Sequence, residues 1–291
     1  MSKLIDSGGY GCVYYPGIDC NGKLIEEPMV SKLVNDYSAK REINTGKLVK
    51  KIKNYKDHFL PVEHYCNVTK PLPIKKCNLL KGVAHYKIMY VPYKKSIPNK
   101  LDFNTLYHAL LTSIQLLIKH KIVHFDIKHN NVIIADKVYL LDFGISISIK
   151  SVYKQFDDAF YSYCKQCYRW PLEVHILCFL NNRGPISPEI LKTICTDFVN
   201  YHVILQHTTK KFRENYITHS IEYYSTLFRT KTTKEIARIC LQSWKTWDNY
   251  ATIIYLFEEG YDISDYFMKA IHYLPKERVT VKDCLAATSP A

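Results

Sequence analysis

Short apolar runs dominate the first third of the chain, and apolar residues at helical spacing dominate the rest. Met29-Val30-Ser31-Lys32-Leu33-Val34 is an apolar run with one lysine inside it, and Phe59 to Val68 and Ala84 to Val91 are further strand candidates. Tyr37 to about Lys53 reads as a helix, so residues 1–92 are expected to be strands with one helix. Leu106, Leu110, Ile114, Leu117 and Ile118 then recur at the 3–4 spacing of a core helix over Phe103 to Lys119, with Asp102 as its N-cap. Val132-Ile133-Ile134 and Val138-Tyr139-Leu140-Leu141 flank Ala135-Asp136-Lys137 and predict a strand, a turn and a strand. Further on, Pro188 with Leu191, Ile194, Phe198 and Val199 predicts a helix, capped by Ser187 with proline at the first helical position. Lys234 to Trp244, with Ile236, Ile239 and Cys240, predicts another.

Chemistry enters at two short segments around the predicted hairpin. His124-Phe125-Asp126-Ile127-Lys128-His129-Asn130-Asn131 precedes it, and Asp142-Phe143-Gly144 follows it. An H-x-D-x-K-x-x-N pattern followed by D-F-G is the footprint of a Mg-ATP phosphotransfer site. Asp126 would orient an acceptor hydroxyl and take its proton, while Lys128 would reach the transferred phosphoryl oxygens. Asn131 and Asp142 offer the hard oxygen ligands that Mg²⁺ prefers. Paired strands would hold those two residues close together at the mouth of a cleft. His124 reads as a structural residue bracing the loop.

These motifs resemble those of the eukaryotic-type protein kinase superfamily, and the resemblance covers nearly the whole chain. Ile5-Asp6-Ser7-Gly8-Gly9-Tyr10-Gly11-Cys12-Val13 is similar to the glycine-rich loop over the ATP phosphates, where missing Cβ atoms let backbone approach the anion. Asp6 stands where the first glycine usually is, and a carboxylate there repels phosphate unless it points away. Lys32 resembles the strand lysine that grips the α- and β-phosphates, and a lysine in an apolar strand is costly to bury unpaired. Glu42 is its expected partner, at a spacing shorter than is usual in the family. Tyr86 to Tyr93 resembles the hinge that holds adenine through backbone groups. Pro92 has no N–H to donate: with Met89 as gatekeeper the usual donor is lost, and with Ile88 it is Val91.

Further matches extend the resemblance downstream. Tyr168-Arg169-Trp170-Pro171-Leu172-Glu173 resembles the A-P-E ending of an activation segment, with one residue inserted, and Leu274 to Thr280 resembles the closing P-x-x-R-x-T element. The resemblance implies a buried Glu173–Arg278 ion pair and an Asp248 that braces the catalytic loop through its backbone. It implies an α+β, two-lobed fold: a small antiparallel-sheet lobe with one helix over 1–92, and a larger, mainly helical lobe over 93–291. Residues 174–243 form a helical insertion, which together with R-W-P-L-E is similar to kinases of large cytoplasmic DNA viruses. ATP and Mg²⁺ are the implied cofactors, and protein hydroxyls the implied acceptors. Phe125 occupies the place where regulated kinases usually have the arginine that reads loop phosphorylation. Ser146, Ser148, Ser151, Tyr153, Tyr161, Ser162 and Tyr163 remain candidate acceptors of little leverage.

Length and composition change the picture in four places. At 291 residues and 34.1 kDa the chain is long enough for one two-lobed catalytic domain. The longest apolar stretches are interrupted too soon to span a bilayer. The net charge of +13 implies acidic substrates, nucleic acid or an anionic surface. The lysines are spread out, though, and no RNA-binding motif appears, so a solvated basic surface is expected. Ten cysteines without paired spacings suggest a reducing compartment, hence the cytoplasm, or the virion for a viral protein. Cys164-Lys165-Gln166-Cys167 is a C-x-x-C without a second half, against zinc. Three functions compete: an active serine/threonine kinase, a pseudokinase scaffold, and a small-molecule kinase of the aminoglycoside or choline type. Lys32, Asp126, Asn131 and Asp142 together favour the first, and Lys128 with the Arg278 element counts against the third.

Overall fold

The computed structural model describes residues 2–8, 11–68, 77, 85–97 and 100–288. In chain order its strands are β1 (Lys3–Gly8), β2 (Gly11–Tyr15), β3 (Met29–Asn35), β4 (Phe59–Leu60), β5 (His64–Asn67), β6 (Tyr86–Pro92), β7 (Ile122–Val123), β8 (Val132–Ile134), β9 (Val138–Leu141) and β10 (Ile147–Ser148). Its helices are α1 (Asp36–Val49), α2 (Phe103–Lys119), α3 (Phe156–Ala159), α4 (Leu172–Asn182), α5 (Pro188–Tyr201), α6 (Lys210–Thr230), α7 (Thr233–Gln242), α8 (Trp247–Glu258), α9 (Asp265–Met268) and α10 (Val281–Ala287). An antiparallel sheet with one helix thus precedes a mainly helical region, the α+β order expected. Contacts divide the chain into two compact units, Met1–Lys100 with Asn130–Ser146, and Leu101–His129 with Ile147–Ala291.

In the first unit the sheet runs β1-β2-β3-β6-β5 and every pairing is antiparallel. Successive strand residues point to opposite faces, and both faces are covered. Val34 and Met89 join Ala39, Ile43, Leu60, Val62 and Tyr139 on one side, while Leu33 and Ile88 join Cys12, Tyr14 and Ile18 on the other. Helix α1 begins directly after β3 because Asn35 caps it, its side chain accepting from the Ser38 N–H at 2.8 Å. The helix ends at Val49, short of the expected Lys53, and the chain continues through turns to Asn54, whose φ is 58°.

The expected strand from Phe59 to Val68 is broken. Its start, β4, pairs in parallel with β9, and β5 pairs with β6 in the other sheet. Pro61 stands at the switch and has no N–H for a continuing ladder. Residue 84, where the next strand was expected to begin, lies outside the described residues. The expectation of a reducing compartment meets a contrary finding: Cys12 is bonded to Cys77, and Cys20 to Cys66, with Cα–Cα distances of 5.9 and 6.2 Å. Spacing could not reveal these pairs, because partners 65 and 46 residues apart meet only through the fold.

In the second unit α8 is the core, with every residue from Trp247 to Leu256 buried. Helix α2 lies against it along the predicted stripe, and the Tyr107 hydroxyl donates to Asn249 Oδ1 at 2.6 Å. Asp102 caps α2, and Ser187 caps α5 ahead of Pro188. Helix α6, of 21 residues, lies within the insertion expected to be helical, although no stripe in the sequence marks it out. Its inner face is Tyr216, Ser220 and Tyr224, so polar-tipped residues occupy the positions where an apolar stripe would show. Among the described residues no helix is long and apolar enough to cross a membrane.

Candidate functional site

The first unit carries one group of site residues. Lys32 on β3 is in register with Val13 on β2 and Met89 on β6, so the three share a face. Its Nζ lies 2.8 Å from Glu42 Oε2 and 2.9 Å from Asp142 Oδ1. The short spacing to Glu42 works because α1 starts at once after β3, which brings its second turn over the strand. Burial disfavours the Lys32 charge, but Glu42 and Asp142 outweigh it and raise the pKa above the ordinary lysine value. Burial also pushes the Glu42 carboxyl up to about 7; Lys32 opposes that shift and the Asp142 charge adds to it. The Lys32 ammonium thus lies between two carboxyl groups, Glu42 and Asp142.

Asn131 and Asp142 sit at the open end of the β8–β9 hairpin, where Val132 pairs with Leu140. Asn131 is buried in a short 3₁₀ turn, and Asp142 follows β9 with φ at 64°. The Gly144 N–H donates to Asp142 Oδ1 at 3.3 Å. A Cβ on Gly144 would lie 3.1 Å from Asp142 Oδ1 and 3.6 Å from Glu42 Oε2, so glycine leaves room for both carboxylates. Phe143 turns inward and packs edge-on against Phe59. Among the described residues no group of three His, Cys, Asp or Glu could hold a metal alone. An amide oxygen and a carboxylate nevertheless fit Mg²⁺, which usually takes few protein ligands and completes its shell with phosphate and water.

The glycine hairpin is formed by β1 and β2, but its tip, Gly9 and Tyr10, lies outside the described residues. Ile5, Asp6 and Ser7 are exposed, and Asp6 Oδ1 accepts from the Ser7 N–H at 2.8 Å, next to an irregularity in the β1–β2 register. Gly8 pairs with Gly11. A Cβ at Gly11 would strike the Leu33 carbonyl and the Val34 side chain, so this glycine is needed for β2 to approach β3. Cys12 points to the face opposite Lys32, where it is bonded to Cys77; only its backbone is left for a ligand on the Lys32 face.

The second unit carries the other group. Lys128 Nζ is 2.8 Å from Asp126 Oδ2, and both residues are half-buried. Asp248 on α8 accepts the N–H of His124 at 2.7 Å and that of Phe125 at 2.9 Å, the bracing expected of it. Burial raises its pKa against the pull of His124 and these N–H groups. Phe125 has φ at 70°, a left-handed conformation that is costly for a bulky residue. Both its backbone groups are held: Asp248 takes the N–H, and the Trp170 indole donates to its carbonyl at 2.9 Å. Its ring stacks on Trp170 at 4.8 Å and 18°, with Phe160 and Trp247 around it. Sequence reasoning missed Trp170; the only signal was an indole in the A-P-E-like stretch, next to a phenylalanine in the arginine position.

Glu173 and Arg278 meet as expected, with side chains fully buried and two bonds of 2.5 and 2.8 Å. Ser243 and the Trp247 indole also donate to Glu173, and Arg278 donates to the His272 carbonyl and to Thr246. Arg169 makes a second bidentate pair with Glu258 on α8, joined by the Tyr168 hydroxyl. These contacts fix the end of the segment on which Trp170 sits.

No known family's sequence profile matches the chain, and no curated protein matches it. Solved structures do. The chain is similar to the autoinhibited serine kinase domain of the giant muscle protein titin, at 13% identity and a TM-score of 0.48, over 98% of this chain and 78% of that one. That likeness concerns architecture; the chemistry rests on the residues described above.

Proposed function

We propose that the chain is an ATP-dependent protein kinase that phosphorylates serine and threonine. The observation that carries this reading is the Lys32 ammonium held 2.8 Å from Glu42 and 2.9 Å from Asp142. Such a cation, fixed by a buried carboxylate, is suited to phosphate oxygens, and phosphoryl transfer depends on positioning and charge compensation more than on covalent chemistry. Lys32 would contact the α- and β-phosphates, with the backbone of residues 5–13 around them. Mg²⁺ held by Asn131 and Asp142 would neutralise charge on the phosphates. Asp126 would accept the proton of the attacking hydroxyl, and Lys128, paired with it, would offset charge on the transferred group. Met89 shares the Lys32 face, which favours it as gatekeeper and leaves Pro92 without the usual N–H toward adenine. A nucleotide-binding scaffold without turnover is the second reading, and Pro92 is what favours it.

The aromatic packing of Phe125 supports independence from loop phosphorylation. An arginine at this position would need a phosphate; Phe125 is held instead by Trp170, Phe160 and Trp247. A viral origin and a place in the host cytoplasm or virion rest on the resemblance of R-W-P-L-E and the 174–243 insertion alone. The two disulfides require an oxidising step wherever the protein folds. Protein acceptors, acidic ones favoured by the +13 charge, complete the proposal. Incubating the purified chain with Mg-ATP and a generic protein, then identifying modified residues, tests it. Phosphoserine or phosphothreonine supports the reading, phosphotyrosine alone corrects it, and no phosphoprotein favours the scaffold or small-molecule alternatives.

A further inference from the structure

Cys164 and Cys167 are half-exposed thiols, whereas the remaining free cysteines, Cys178, Cys195, Cys240 and Cys284, are buried. The pair lies on one tight turn, closed by the Cys167 N–H donating to the Cys164 carbonyl at 3.2 Å. A turn of this kind keeps its first and fourth Cα atoms within about 7 Å, which overlaps the roughly 4.4–6.8 Å span that a disulfide requires. No third ligand completes a metal site among the described residues. The same chain already holds two disulfides, so it folds where thiols are oxidised.

The turn is wired to the residue before Asp126. The Cys167 carbonyl accepts from the Trp170 backbone N–H at 2.9 Å and from His175 Nε2 at 3.2 Å. The Trp170 indole in turn holds the Phe125 carbonyl. Burial, the Cys164 thiol and the nearby Asp126 carboxylate, against the pull of Arg169, push the Cys167 thiol up to about 12. That keeps it protonated and a slow nucleophile, so its attack is the slow step of any disulfide closure.

We propose that Cys164 and Cys167 are a reversible redox site, closed to a disulfide by a small-molecule disulfide of the glutathione class, and that closure slows phosphotransfer. Cys164, its proton passing to solvent, attacks one sulfur of the small disulfide, forming a mixed disulfide and expelling one thiolate. Cys167 then gives its proton to solvent and attacks the Cys164 sulfur, expelling the second thiolate. Two protein thiols are oxidised to one disulfide, and the small disulfide is reduced to two thiols. Bond formation draws the sulfurs to about 2.05 Å, which tightens the turn and shifts the Cys167 carbonyl on which Trp170 and His175 rest. A misplacement of about 1 Å, even one caused far from the chemistry, can cost about a hundredfold in rate. Transmitted through Trp170, a partial shift is expected to cost at least about threefold.

The rate effect rests on the kinase reading; the disulfide does not. The test is to equilibrate the folded protein with reduced and oxidised glutathione at several ratios, alkylate, digest and map each cysteine by mass spectrometry. The expected result is joint loss of alkylation at Cys164 and Cys167 as one internal disulfide, with Cys178, Cys195, Cys240 and Cys284 unchanged. Alkylatable thiols at every ratio, a lasting mixed disulfide with glutathione, or a bond from either cysteine to Cys178 overturns the site. In parallel, phosphotransfer by the oxidised protein should fall at least about threefold and return on reduction, while Cys164→Ser and Cys167→Ser lose that sensitivity. An oxidised protein with full activity overturns the brake. If neither form transfers phosphate, the mapping still decides the disulfide, and the kinase reading is what fails.

Discussion

Arg278→Met removes one charge from a fully buried pair while keeping most of the side-chain volume. In the wild type the guanidinium makes two bonds to Glu173, one to the His272 carbonyl and one to Thr246. The variant leaves Glu173 with Ser243 and Trp247 as donors and no countercharge. Breaking one side of a buried pair costs about 3–5 kcal/mol, chiefly because the remaining charge stays desolvated. Burial pushes the Glu173 pKa up, and Arg278 overcomes it, so the net value lies below the ordinary one. Such a carboxylate adds stability above its unfolded pKa and loses it as pH falls through the folded one. Without Arg278 only the neutral donors, Ser243 and Trp247, still oppose burial, so the folded pKa rises above the unfolded one and the sign reverses: stability is then lost as pH increases. Urea unfolding of both proteins at pH 7.5 and 5.5 checks this. The deficit should be about 3–5 kcal/mol at the higher pH and smaller at the lower one. Glu173→Leu with Arg278→Met should recover much of it, since apolar replacement of a buried pair is often neutral. A deficit under about 1 kcal/mol, or one unchanged with pH, refutes the reasoning.

Asp142→Asn should weaken Mg-nucleotide binding, measured by calorimetry, whereas Asp126→Asn should leave it nearly intact; equal affinities for the two variants would contradict the division of roles. His175 and His202 are held neutral by burial, with pKa values lowered to about 4 and about 3. Their contribution is present above the unfolded pKa and lost as pH falls, so stability should drop between about pH 6.5 and 4 by up to roughly 2.7 kcal/mol per unit if both act. Denaturant titrations across that range check it, and a flat profile would show that neither is buried uncharged. Phosphatase treatment that leaves the loop bare by mass spectrometry should change phosphotransfer little. A loss of about tenfold, restored by rephosphorylation, would mean the aromatic support of Phe125 does not replace a phosphate.

How much could be read in advance depended on whether a residue's role showed in its neighbours along the chain. Lys32 stood out because a lysine in an apolar strand demands a partner, and Glu42 offered the fitting carboxylate on the next helix. The β8–β9 hairpin and α2 were visible through their apolar runs and caps. Helix α6 was hidden because Tyr216, Ser220 and Tyr224 bury polar-tipped side chains. The break at Pro61 follows from a missing N–H, but which sheet each half would join depends on contacts far away in the chain. The same holds for Cys12–Cys77 and Cys20–Cys66, and for Trp170, whose indole meets Phe125 across 45 residues.

The most direct test is phosphotransfer itself: Mg-ATP labelled at the γ-phosphate, a generic protein acceptor, and wild type beside Asp126→Asn. The account predicts label on serine and threonine with the wild type and a loss of most turnover in the variant. Equal transfer by the two proteins would contradict the assignment of Asp126, and no transfer by either would contradict the kinase reading.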